Sequence, residues 1–242
     1  MKRTFSIFLF IAFWLSCCPV SNAQNLRFGV KAGAGVANLD YEPESSADTF
    51  DFDFYRGLFY NKKSSFRPTF LIGGTLEYDL SKDFFLSSGV QITGKFAHVE
   101  ADDPRWSTND FRLRAFYMQI PMNVHYRAGK FFLGAGGYAG IGVGGKWKNT
   151  NVYEDPDGDI TKNSSDKIKF GNDDFESNLK RFDAGIRAEL GFGFKRIRLS
   201  LAYDHGLANN LSKFKDGKQV ISVSKLRHQA ITATAAYYWL AK

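Results

Sequence analysis

From residue 26 onward the chain alternates between apolar and other residues, and it does so eight times. In the first run Leu26, Phe28, Val30, Ala32, Ala34 and Val36 alternate with Arg27, Gly29, Lys31, Gly33, Gly35 and Ala37. Period two is the repeat of an extended strand, in which successive side chains point to opposite faces. The second run is Thr69 to Leu80, where Phe70, Ile72, Leu76, Tyr78 and Leu80 oppose Glu77 and Asp79. The third, Phe84 to Val99, sets Leu86, Val90, Ile92 and Phe96 against Ser87, Gln91 and Lys95. The fourth, Arg112 to Tyr126, sets Phe116, Met118, Ile120, Met122, Val124 and Tyr126 against Tyr117, Gln119, Asn123 and His125. The fifth, Phe131 to Lys148, sets Leu133, Ala135, Ala139, Ile141, Val143 and Trp147 against Gly134, Gly136, Tyr138, Gly140, Gly142, Gly144 and Lys146. The sixth, Leu179 to Phe194, sets Phe182, Ile186, Leu190 and Phe192 against Asp183, Arg187 and Glu189. The seventh, Ile197 to His205, sets Leu199, Leu201 and Tyr203 against Arg198, Ser200 and Asp204. The eighth, Leu226 to Trp239, sets Ile231, Ala233, Ala235, Tyr237 and Trp239 against Thr232, Thr234 and Tyr238.

The connections alternate as well. Long polar stretches, Asp40 to Phe66, Glu100 to Phe111, Asn149 to Asn178 and Leu207 to Lys225, separate strand pairs. Tight turns at Ser81-Lys82-Asp83, Arg127 to Lys130 and Lys195-Arg196 join the remaining neighbours. Eight strands with short turns at one end and long loops at the other predict an all-β, eight-stranded antiparallel transmembrane barrel, its loops extracellular and its turns periplasmic.

A soluble barrel is the competing architecture. It must hide its apolar face and show the polar one. Here that would bury Lys31, Glu77, Asp79, Lys95, Asp183, Arg187, Glu189 and Asp204 in a core, which is costly unless each charge is paired. The inverted arrangement turns the apolar face to lipid and the charges to the lumen, and closure satisfies every strand hydrogen bond, as a bilayer requires. Aromatics near the run ends (Phe84, Phe85, Phe116, Phe131, Phe132, Trp147, Tyr237, Trp239) fit girdles at the two interfaces. An eight-stranded barrel is narrow enough for its own side chains to fill. The glycines of the fifth run are read as aids to curvature, with Tyr138 refilling the room they leave.

The first 23 residues read as an export signal: Lys2 and Arg3, an apolar run from Phe5 to Leu15, then Ser21-Asn22-Ala23 before a cut at Gln24. The domain proper is then 24–242. A lipoprotein signal on Cys17 or Cys18 fits less well, because Trp14 stands three residues before Cys17 where a lipobox needs Leu, and Cys17 directly precedes Cys18 where it needs a small residue. Both cysteines lie in the signal, so a disulfide framework, a cysteine nucleophile and a thiolate metal site are all excluded from the mature chain. The charge of +7 is spread along the chain, not run together, which argues against nucleic acid as a partner.

The run YMQIPMNVHYRAGKFFLGAGGYAGIGVGGKWK (Tyr117 to Lys148), with FGNDDFESNLKRFDAGIRAELGFGF (Phe170 to Phe194), LSLAYDHGLANNL (Leu199 to Leu211) and FGVKAGAGVANLD (Phe28 to Asp40), resembles the porin-like, or PorT-like, outer-membrane β-barrel family of Bacteroidota. The resemblance implies an outer-membrane location, contact with outer-membrane lipids and insertion by the barrel assembly machinery. It brings no catalytic set and no cofactor. The chain departs from such barrels in placing Leu240-Ala241-Lys242 after its last aromatic residue.

Three groups of residues stand out beyond the architecture. Glu77, Lys95, Asp183, Arg187, Glu189 and Asp204 should share the lumen wall; carboxylates so placed can do acid–base work, but a rigidifying ion-pair network is the stronger expectation. Asp155, Asp157 and Asp159, followed by Thr161, Asn163 and Asp166, fall on an EF-hand-like count and are a metal candidate, although Ile160 stands where that loop needs Gly. Phe52, Phe54, Tyr55, Phe59 and Tyr60 form a candidate contact surface in the first long loop. The four histidines are scattered, and no serine partner is marked beside any of them. The expected function is a non-enzymatic outer-membrane barrel for envelope integrity or surface binding. The alternatives are a small-solute channel, a barrel component of a secretion system and a lipid-modifying barrel enzyme.

Overall fold

A computed structural model describes residues 26–42, 63–103, 106–153, 157–171, 179–210, 214–216, 219–221 and 225–239. The export segment 1–23 lies outside these residues, as do Asp155 and the aromatic set Phe52, Phe54, Tyr55, Phe59 and Tyr60.

Eight strands form the wall: β1 Leu26–Glu42, β2 Arg67–Asp79, β3 Phe84–Asp103, β4 Trp106–Ala128, β5 Phe131–Tyr153, β6 Phe182–Phe194, β7 Ile197–Gly206 and β8 Lys225–Trp239. Each pairs antiparallel with its sequence neighbours, and β1 pairs with β8 from Phe28 opposite Trp239 to Glu42 opposite Lys225. The sheet therefore closes into a ring of eight and leaves no edge among these strands. Two short strands extend it: Lys63–Ser65 lies on β3 and Ile160–Lys167 on β5.

The turns at one end are as short as the sequence predicts. Ser81 Oγ accepts from the Phe84 amide at 3.1 Å, and Gly129 takes a φ of 65°, where glycine is favoured. The other end differs. The stretch Glu100 to Phe111, expected as a loop, is largely strand: β3 and β4 stay paired through Ala101 opposite Asn109. The stretch from Asn149 also begins as strand, with Asn149 to Tyr153 pairing with Ile160 to Ser164. Neither segment carries the apolar alternation of the runs below it, so its strand pairing has no local signature in the sequence.

On β4 the outward face is apolar from Phe116 to Tyr126 and basic at Arg112 and Arg114. The ten steps between Phe116 and Tyr126, at ~3.4 Å each and tilted by ~40°, give a band roughly 26 Å tall. That matches the hydrocarbon core spanned by barrel strands. Outward Ile120, Met122 and Val124 are about half or more exposed to whatever surrounds the barrel, as are Phe28, Ile72, Val90, Leu133, Ile186, Leu190 and Leu199. At the lower edge of the band sit Tyr78, Phe84, Tyr126, Phe131, Phe194, Tyr237 and Trp239, all exposed. Phe70, Phe96 and Phe116 pack edge-on or tilted near its top, with centroids 5.6 to 6.2 Å apart. Above it the polarity inverts, and Phe111, Leu113 and Ala115 turn inward and are buried.

Two irregularities shape this wall. Phe116 pairs with Gly144 but Tyr117 pairs with Gly142, so Val143 is an extra residue in β5. A bulge of this kind re-aims every later side chain. Trp147, expected on the lipid face, therefore points inward opposite Leu113, and Lys146, expected inward, is exposed outside opposite Arg114. Phe85 and Phe132, expected in a girdle, also face inward and are buried. The second irregularity is Pro121, which has no N–H for the ladder. Pairing of β3 with β4 lapses between Ser88 and Gln91 at this point, and Ser88 Oγ donates to the Pro121 carbonyl at 2.9 Å.

Candidate functional site

The lumen gathers buried polar chemistry, and it is built in layers. At the turn end Asp79 accepts from Arg27 at 2.8 Å and from Arg127 at 2.7 Å. Glu77 beside it accepts from Arg198 Nη2 at 2.6 Å and lies 3.2 Å from Arg27. The Arg198 guanidinium sits 4.8 Å from the Phe85 ring centroid and 5.6 Å from that of Phe132. This explains why those aromatics turn inward: they stack on buried cations.

One layer higher, Lys31 Nζ donates to Glu189 at 2.9 Å and Ser200 Oγ donates to the same oxygen at 2.5 Å. His125 Nε2 lies 3.4 Å from the other Glu189 oxygen, and its ring stacks on Phe85 at 4.5 Å. At mid-barrel Lys95 bonds Asp183, and Arg187 grips Asp204 through Nε at 2.5 Å and Nη2 at 2.6 Å. Lys95 Nζ also lies 4.7 Å from the Tyr117 ring centroid and 5.4 Å from that of Tyr138. All six residues singled out in the sequence thus stand in the lumen, each bonded to an opposite charge. Lys95–Asp183 and Arg187–Asp204 pair within the set, whereas Glu77 and Glu189 pair with cations outside it. Arg27 and Arg198 sit on the polar faces of the first and seventh runs and Arg127 in a tight turn, and only register shows which carboxylates they meet across the ring.

The layer nearest the loops is apolar. Leu39, Ala97, Phe111, Leu113, Ala115, Ile168, Leu179 and Leu226 form one buried cluster with Tyr117, and Trp147 and Phe170 pack against it. Ile168, Phe170 and Leu179 come from the β5–β6 connection, so part of that connection folds into the barrel mouth.

Two of the wall's glycines make room for large interior side chains. A Cβ on Gly134 would lie 2.1 Å from the His125 ring, and one on Gly185 would lie 2.6 Å from the Tyr138 hydroxyl. Each faces the large side chain directly across the ladder. Their absent side chains make room for the interior ones.

The metal candidate does not assemble into a loop. Asp157 and Asp159 are exposed, and Thr161, Asn163 and Asp166 lie on the strand Ile160–Lys167, with Asp166 on the opposite face from the other two. An extended strand cannot wrap these oxygens round one ion. Among the described residues no three His, Cys, Asp or Glu side chains converge on a metal position. His98 meets Asp110 at 2.7 Å, and His205 meets the Tyr203 hydroxyl at 3.4 Å. His228 is fully buried.

The closed ring, the apolar outer band and the charged lumen define a membrane-spanning β-barrel. The sequence matches the family described as outer membrane protein beta-barrel domain over residues 22–212, and the chain belongs to that family. It is an outer-membrane β-barrel protein. Solved structures similar to it include Ail, the attachment invasion locus protein of Yersinia pestis (10% identity, 89% of this chain and 99% of that one, TM-score 0.37). Neisserial surface protein A is 12% identical (88% and 97%, TM-score 0.37). The outer membrane protease OmpT of Escherichia coli is 11% identical (90% and 98%, TM-score 0.28). None of these likenesses assigns an activity. No curated protein sequence matches significantly.

Proposed function

We propose that this chain is a closed, non-enzymatic outer-membrane barrel that serves envelope integrity or binding at the cell surface. One observation carries the reading: the lumen is occupied from end to end. The space between Lys31, Glu77, His125, Glu189 and Arg198 has a volume of about 20 Å³, room for one water. Above it stand the Lys95–Asp183 and Arg187–Asp204 pairs and then the apolar cluster. A solute would have to break buried ion pairs and displace a packed hydrophobic layer. The histidines support the same reading, since His125 is held by Glu189 and Phe85 in the interior and, among the described residues, no hydroxyl is bonded to a histidine ring nitrogen in the lumen.

Within the family we place the chain in the PorT-like branch of Bacteroidota, on the segment Tyr117 to Lys148. That placement implies export by the 1–23 signal, insertion by the barrel assembly machinery and lipid as the surrounding partner. Planar-bilayer recording of the purified, refolded barrel tests the central point. The expected trace is flat at physiological voltages; stable unitary steps would favour the small-solute channel instead.

A further inference from the structure

Above the apolar band, the outer wall carries cations that answer no carboxylate. Arg114, Lys146 and Lys167 lie directly opposite one another across β4, β5 and the strand Ile160–Lys167, all exposed. Lys148 follows on β5, opposite Arg112. Like charges placed directly opposite on neighbouring strands destabilise a sheet. No ion pair relieves Arg114, Lys146, Lys148 or Lys167 among the described residues. The nearby acids are engaged or turned away: Asp110 holds Arg112 at 2.5 Å and His98 at 2.7 Å, and Asp166 is on the other face of its strand.

Beside this row the wall opens. Pairing of β2 with β3 stops at Leu71 opposite Thr93, and an outward groove of about 480 Å³ lies above that point. Pro68, Phe96 and Phe116 give it an apolar floor, and Arg112 and Arg114 line it as well. Arg114 belongs to both features. It stands two residues above Phe116, about 5 Å higher for a tilted strand. That is the level at which lipid headgroups meet acyl chains.

We propose that this groove and row bind a phosphorylated lipid of the outer leaflet, its phosphate on Arg114, Lys146, Lys148 and Lys167 and an acyl chain across Phe96 and Phe116. The arrangement combines what an anionic amphiphile requires: unpaired cations at headgroup height and a continuous apolar surface directly below. The proposal rests on insertion of the barrel in the outer membrane, not on closure of its lumen, so a conducting barrel would leave it standing.

Native mass spectrometry of the full barrel in detergent, titrated with bisphosphorylated lipid A, tests it. Arg114→Ala with Lys146→Ala should weaken retention about tenfold or more, since each cation near an anionic surface contributes roughly a factor of five. Lys148→Ala with Lys167→Ala should act in the same direction. Lys82→Ala with Lys195→Ala, at the opposite turns, should change nothing, and the heat-modifiable gel shift of each variant reports folding separately. Lipid A stripped of phosphate should bind at least about tenfold more weakly than the bisphosphorylated form. Equal retention of the two lipids would overturn the proposal. So would an equal loss in the turn variants, or full displacement by millimolar inorganic phosphate, which would mark a bare anion site.

Discussion

Arg187 on β6 and Asp204 on β7 stand directly opposite in register, and the guanidinium holds both carboxylate oxygens, at 2.5 and 2.6 Å, with no access to solvent. A buried pair of this kind adds little net stability, yet breaking it strands a charge. Asp204→Ala should therefore cost about 3–5 kcal/mol, read as the urea midpoint for loss of the folded gel band. Arg187→Met combined with Asp204→Leu removes both charges and should cost far less. A double variant as unstable as the single one would show that the pair is not what Asp204 supplies.

Val143 is the extra residue that shifts the sequence parity of everything above it on β5. Deleting it should close the bulge and keep the register of both flanks, with Gly142 opposite Tyr117 and Gly144 opposite Phe116. Trp147 would still point inward and Lys146 and Lys148 outward, so the deletion variant should reach the outer-membrane fraction with the heat-modifiable gel shift of the parent. A deletion variant that fails to assemble would contradict the reading of Val143 as a bulge residue.

Gly134 and His125 occupy one volume. Gly134→Val forces the imidazole off Phe85 and should cost about 1–3 kcal/mol by the same gel assay. Adding His125→Ala should recover at least about 1 kcal/mol, because residues in contact couple by amounts of that order. Strictly additive costs would contradict the fit described here.

The apolar layer and the charged layers close the lumen separately. Leu113→Ala should cost about 2–5 kcal/mol through the cavity it leaves. The same variant should remain silent in planar bilayers, since Lys95–Asp183 and Arg187–Asp204 lie below it. Conductance in Leu113→Ala but not in the parent would show that the apolar layer alone is the seal.

The wall of this protein was legible in its sequence because period two is a local signal. Phe28 to Val36 or Phe116 to Tyr126 declare their lipid face without reference to any other strand. The six lumen charges were legible for the same reason, by parity with their apolar neighbours. What sequence could not supply was pairing across the ring: that Lys31 on β1 reaches Glu189 on β6, or that Arg27 and Arg127 share Asp79. Parity itself failed at one inserted residue, Val143, which carried Trp147 and Lys146 to faces opposite those expected. Leu113 and Ala115 lie within the fourth run but on its polar side by parity, and Phe111 falls in the adjoining long stretch; all three face inward because above the bilayer the apolar side chains turn to the interior.

Cysteine labelling tests the membrane placement of β4 most directly. The chain has only Cys17 and Cys18, both in the segment read as the export signal, so single-cysteine variants of the exported domain carry no background. Intact cells expressing Arg114→Cys or Met122→Cys would be treated with a membrane-impermeant maleimide. Both side chains point outward, and Met122 is 65% exposed on the bare protein. Labelling of the Arg114→Cys variant with none at Met122→Cys is the expected result, since lipid covers the latter. Equal labelling of the two would mean that water surrounds the apolar band, and the account of a membrane-spanning barrel would fall.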